Sequence, residues 1–229
     1  YVYKRAAEQG KRVQALGGAK NFVVVMPDAD MDRTAQVSTE SCYGCAGERC
    51  LANSVVLAVG DAHAAIRDKL VEEAKRITVG DGMESGITMG PLVSKQHRDK
   101  VLGYIEQGIK EGAKLLLDGR GYKDPKGSGG YYLGPTIFDD VTPDMVIGRE
   151  EIFGPVLCIM RAKDFDEAVE IVRKHELGNA TSIFTSSGRH AREYRYRVEP
   201  SMLGVNIGVA APMAFFPFGG AKNSFFGDL

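Results

Sequence analysis

A chain of 229 residues with 44% hydrophobic and 26% charged residues can bury a substantial core and has the make-up of a folded globular protein. Its 29 basic and 30 acidic side chains are interspersed and leave a formal net charge of -1, which argues against a nucleic-acid partner. No apolar run approaches the roughly 20 residues of a membrane span, and residues 1–5 lack a signal-peptide layout, so no membrane partner and a cytoplasmic setting are expected.

Apolar spacing at Val2, Ala6 and Ala7 predicts a helix over 1–9, ended by Gly10, and then a strand over 11–16. The chain does not begin with Met and its start reads as the middle of a helix, so a piece of a longer polypeptide is expected. After Gly17-Gly18, the apolar run 22–26 closed by Pro27 predicts a strand buried on both faces. Asp28 or Asp30 can cap a helix from Met31 to about Cys45. A strand over 53–59, helices over 62–76 and 95–111, and short strands over 114–118 and 132–138 follow, with a glycine-rich loop over 119–130. Beyond it lie a strand at 156–161, a helix at 165–175, a strand at 180–185, a helix at 188–197 and a strand at 204–207. This alternation predicts an α/β fold, a largely parallel sheet covered by helices.

Chemistry concentrates in two runs. In Tyr43-Gly44-Cys45-Ala46-Gly47-Glu48-Arg49-Cys50, a thiol stands on a small-residue turn between a helix and a strand, with room for substrate and a backbone N–H for an oxyanion. The negative end of the preceding helix would oppose a thiolate there, so a cation such as the Arg49 guanidinium is needed nearby. Arg49 is also the best candidate for a bidentate grip on a carboxylate. Cys42, Cys45 and Cys158 read as buried structural cysteines. The spacing C-x2-C-x4-C has no second pair to close a zinc site, so no metal is expected. His63, His97, His175 and His190 have no catalytic spacing and read as helix-surface residues. The second run, Arg149-Glu150-Glu151-Ile152-Phe153-Gly154-Pro155, puts a carboxylate that can chelate a diol and an aromatic ring on a turn fixed by Gly154-Pro155.

Together with Leu16-Gly17-Gly18, Met89-Gly90-Pro91-Leu92-Val93, the stretch 178–185 and Pro217-Phe218-Gly219-Gly220, these runs resemble the aldehyde dehydrogenase family in residues and in order. The resemblance implies a remnant of the dinucleotide-binding domain over 1–18, a catalytic domain over 19–214 and a return segment over 215–229 that packs on the cofactor domain or a neighbouring subunit. It implies Cys50 as the nucleophile that forms a thiohemiacetal with a small-molecule aldehyde and then a thioester. NAD is the implied hydride acceptor, with Glu151, Phe153, Leu16 and Gly17 binding it and Arg49 and Phe218 facing the substrate. A homo-oligomer, dimer or tetramer, is implied as well, and the mitochondrial matrix if the source is eukaryotic. Hydrolytic members place a Glu directly before Leu-Gly-Gly to activate water; Ala15 stands there. Coenzyme A then becomes the expected acyl acceptor. Arg12-Val13-Gln14, Gly18-Ala19-Lys20-Asn21 and the Arg before the nucleophile are similar to the CoA-acylating branch, which decarboxylates malonate semialdehyde or its methyl derivative to acetyl-CoA or propionyl-CoA. Glu48 departs from the Gln of that branch. A hydrolytic enzyme of other substrate range and a non-enzymatic structural domain are the alternatives.

Overall fold

The computed structural model describes residues 1–124, 126–208 and 210–227. Pro125 of the expected glycine-rich loop, Val209, and Asp228 with Leu229 of the expected return segment lie outside the described residues. Helix α1 (Val2–Glu8) precedes β1 (Ala15–Leu16), β2 (Asn21–Val25) and α2 (Met31–Tyr43). Next come β3 (Asn53–Val59), α3 (Ala62–Lys75), α4 (Lys95–Lys110), β4 (Lys114–Leu117) and β5 (Thr136–Asp139). After these, α5 (Val146–Arg149), β6 (Val156–Ala162), α6 (Phe165–Lys174), β7 (Leu177–Gly178) and β8 (Ala180–Phe184) lead to α7 (Gly188–Arg197), β9 (Met202–Val205), β10 (Ala221–Lys222) and β11 (Phe225–Phe226).

A seven-stranded sheet runs in the order β4-β5-β6-β3-β2-β8-β9, parallel except at the antiparallel edge pair of β4 and β5. Its central strands are continuous apolar runs, with Val23, Val24, Val55, Val56, Leu57, Leu157 and Ile159 buried, as expected when helices cover both faces. The step from β2 to β3 and the step from β6 to β8 run in opposite directions along the sheet. Right-handed crossovers therefore put α2 on one face and α6 on the other. The helices start where short polar side chains satisfy the free N–H groups: Asp30, Ser94, Asp164 and Ser187 each accept from the residue three positions on. Asp28, the other candidate cap, instead accepts from the hydroxyls of Thr185 and Ser186.

Where expectation and structure part, neighbours explain the difference. The strand expected over 11–16 shortens to Ala15–Leu16, because its antiparallel partner β11 offers only Phe226 and Phe225 to pair with it. The one expected from 132 starts at Thr136, since Pro135 has no N–H for a ladder. The one expected over 204–207 shifts to Met202–Val205; Asn206 takes a left-handed φ of 56° and its side chain bonds the backbone of Thr185 instead. His63 is not a surface residue. It is buried on α3 with Nε2 2.8 Å from Asp139 Oδ1, and Arg161 reaches Asp140 on the same sheet edge.

Candidate active site

β2, β3, β6 and β8 are mutually aligned in a parallel array, so the segments leading into them meet on one edge of the sheet. Those segments carry Gly18-Ala19, the Cys50 turn, Glu151 to Pro155, and Asn179. Helix α2 ends at Tyr43, and a single tight turn, Gly44–Gly47, follows with Cys45 and Ala46 both left-handed at φ 53°. Left-handed non-glycine residues cost about 1–3 kcal/mol each and persist only where the surroundings hold them. Here the Tyr43 hydroxyl donates to Thr136 O at 2.9 Å and Ala46 is fully buried. Gly47, at φ 74°, lies so close to the next loop that a Cβ would meet Gly154 O at 2.2 Å. Only glycine fits there. Cys45 is exposed, which corrects its reading as a buried residue; Cys42 and Cys158 are buried, and burial pushes both thiols up.

The Cys50 side chain is exposed. Its carbonyl oxygen accepts from Asn21 Nδ2 at 2.9 Å and from Asn179 Nδ2 at 2.7 Å. Asn21 also donates to Ala52 O and accepts from the N–H of Ala180, so one buried amide joins the starts of β2, β3 and β8. The runs Gly18-Ala19-Lys20-Asn21 and 178–185 contain both amides, but the sequence alone gives neither a role; the available signal is a polar amide immediately before, or opening, an apolar strand. The Arg49 fork does not face outward. Its Nη2 donates to Ser41 O at 2.7 Å and Glu40 O at 3.2 Å, covering the last carbonyls of α2. This offsets the negative helix end beside the thiol, and a Cβ on Gly44 would lie 2.6 Å from the same nitrogen, so a larger residue there would displace the guanidinium.

Glu151 Oε1 accepts from the Ala19 N–H at 3.1 Å, and burial raises its carboxyl above the ordinary value. Its Oε2 would stand 3.5 Å from a Cβ on Gly18. Phe153, at φ 58°, keeps 37% of its surface exposed. A small crevice of about 20 Å³ is lined by Ala19, Asn21, Gly47, Arg49, Glu151 and Phe153. Phe218 packs against the small apolar cluster of Leu51, Ala180, Met202 and Ala210, to which the residue after Cys50 belongs. Leu16 and Gly17 join this edge less directly: Leu16 pairs with Phe225, and the Gly17 N–H donates to Ser224 O at 2.9 Å. Among the described residues the group close enough to hold a metal ion is His63, Asp139 and Asp140 rather than the cysteines, and Arg161 already stands 2.7 Å from Asp140.

An exposed cysteine on a clamped turn at the start of a parallel α/β sheet, with a carboxylate and an aromatic in the adjoining crevice, defines a class: the chain belongs to the aldehyde dehydrogenase family, which matches residues 1–229. It is 52% identical over 230 residues to malonate-semialdehyde dehydrogenase 3 of Geobacillus kaustophilus (strain HTA426), a match that covers 100% of this chain and 47% of that protein. Methylmalonate-semialdehyde dehydrogenase from Oceanimonas doudoroffii superposes with a TM-score of 0.97 at 44% identity, over 100% of this chain and 47% of that one. The Mycobacterium tuberculosis aldehyde dehydrogenase complexed with NAD+ gives a TM-score of 0.91 at 30% identity, covering 98% and 46%. The chain thus spans about half the length of the curated relatives it matches.

Proposed function

We propose that the complete protein oxidises malonate semialdehyde or methylmalonate semialdehyde to acetyl-CoA or propionyl-CoA, with Cys50 as the nucleophile. The observation that carries this reading is the exposed Cys50 thiol on a turn whose carbonyl is held by two amides and whose glycine touches the Glu151 to Pro155 loop. The relatives named above, malonate- and methylmalonate-semialdehyde dehydrogenases at 52% and 44% identity, support the substrate. An NAD ribose fits the Glu151 carboxylate, which has one oxygen held by Ala19, and the exposed Phe153 ring suits a flat neighbour. When bound, NAD supplies the hydride acceptor.

The Cys50 sulfur forms a bond to the aldehyde carbon and the carbonyl oxygen becomes an oxyanion, to which the Cys50 N–H can donate. Departure of hydride from that carbon leaves a thioester on Cys50. The β-carboxylate then leaves as carbon dioxide, its bonding electrons pass into the thioester enolate, and a proton restores the α-carbon. CoA thiolate displaces the Cys50 sulfur and frees the acyl-CoA. Ala15 has no group to activate water, which favours a thiol over hydrolysis. For Arg49 to hold the substrate carboxylate, its guanidinium must exchange the Ser41 and Glu40 carbonyls for a fully charged acceptor, a stronger hydrogen-bond partner. In the full-length protein, Cys50→Ser should abolish NADH formation, and the wild type should yield acyl-CoA only with CoA present. NADH formation by Cys50→Ser, or equal turnover to the free acid without CoA, would refute the proposal.

A further inference from the structure

We infer that His97 is a positioning residue that ties the nucleophile turn to the Phe153 loop, with Glu48 as its partner; the inference rests on the reaction proposed above. His97 lies in the first turn of α4, where Ser94 Oγ accepts its backbone N–H at 3.1 Å and fixes how the ring leaves the helix. Its Nε2 is 2.6 Å from Phe153 O. A carbonyl can only accept, so Nε2 carries the hydrogen. The same nitrogen is 3.4 Å from Glu48 Oε1, and both Glu48 oxygens accept from the Val93 N–H at 3.2 Å. The two side chains are only 17% and 13% exposed, so this arrangement is largely shielded from competing water. The imidazole also meets the Phe153 ring edge-on, with centroids 6.1 Å apart.

One side chain thus touches both halves of the proposed centre. Glu48 stands two residues before Cys50, on the turn that presents the sulfur. Phe153 is held at φ 58°, a conformation a bulky residue keeps only under constraint, and the His97 bond to its carbonyl is such a constraint. The helix start at Ser94 supplies the fixed point, since neither loop has regular structure of its own between Gly47 and β3 or between α5 and β6. Displacing reacting groups by about 1 Å costs on the order of 100-fold in rate.

The test uses the full-length protein and the variants His97→Leu, His97→Gln, Glu48→Leu and the His97→Leu/Glu48→Leu double. Melting temperature, kcat, KM for NAD and the rate of Cys50 alkylation by iodoacetamide are measured for each. His97→Leu should stay folded, lose about 10- to 100-fold in kcat/KM through a raised KM for NAD, and alter the alkylation rate. His97→Gln, whose side-chain N–H can reach the place of Nε2, should recover most of the loss. The double variant should be no worse than His97→Leu alone, because the two residues act as a unit. Wild-type KM and alkylation in His97→Leu, or strictly additive losses, would overturn the inference. Should His97→Leu fail to fold, Glu48→Leu is judged by the same two readouts. A His97→Leu protein like wild type beside an inactive Cys50→Ser sinks only the tie, whereas an active Cys50→Ser sinks the reaction itself.

Discussion

His175 shows how a residue's protonation is set by what surrounds it. Its Nε2 donates to Arg149 O and its Nδ1 accepts from the Leu177 N–H, both at 3.1 Å, while the Phe22 ring closes one side. The neutral ring satisfies both nitrogens; a second proton would remove the acceptor. Burial, the main cause, depresses its pKa below the ordinary 6.5. The unfolded chain therefore binds the extra proton first, and the stability this group contributes is complete above about pH 6.5 and is lost as pH falls toward the folded value. His175→Gln should remove that part of the pH dependence, read as the urea midpoint between pH 7.5 and 5.5; an unchanged slope would count against it. Nothing in the sequence distinguishes this histidine from the other three, because burial and two backbone partners exist only after folding. Cys50 is legible for the opposite reason: the residues that mark it, from Tyr43 to Arg49, are contiguous in the chain.

The α2-turn-β3 unit depends on a backbone path that propensity does not announce. Strand β3 and helix α7 fall at the expected bounds, since apolar runs and the Ser187 cap mark them locally. The left-handed run through Cys45, Ala46 and Gly47 is different. Neither Cys nor Ala favours such angles; tertiary contacts hold the turn, with Tyr43 bonded to Thr136, Ala46 buried and Gly47 against the Gly154 backbone. Gly47→Ala should thus cost at least about 2 kcal/mol in unfolding free energy and change Cys50 alkylation. Gly82→Ala, where a Cβ meets nothing within 4 Å, is the control and should stay within about 0.5 kcal/mol. Equal effects in the two variants would contradict this account. Helix α5 is a single turn whose N–H at Val146 is met by Glu111, a tertiary contact with no local mark.

At the scale of the whole molecule, alternating strands and helices make the parallel sheet legible, but not the order in which strands lie. That order decides the site. Open α/β sheets usually bind ligands beyond the carboxyl ends of their strands, yet here the assembled residues gather where the strands begin, and His63, Asp139 and Arg161 hold the opposite edge. Segments far apart in the sequence also meet where the strands begin: Ser224 Oγ donates to Gly18 O at 2.5 Å and accepts from the Gly178 N–H at 3.0 Å. Ser224 is fully buried, so Ser224→Ala should lower stability by about 1–3 kcal/mol. Because Gly18 adjoins the Ala19 N–H that holds Glu151, KM for NAD should rise too. Calorimetry and initial rates check this, and a destabilised variant with unaltered KM would break the link.

The meeting of Gly47 with Gly154 has an evolutionary corollary. Where two main chains abut, no side chain can be trimmed or enlarged to adjust the gap, so mutation has no fine control over the separation between thiol and ring-bearing loop. Under the function proposed above, a change in the aldehydes accepted is therefore expected from substitutions outside this hinge, at positions such as Phe218, rather than at Gly47 or Gly154.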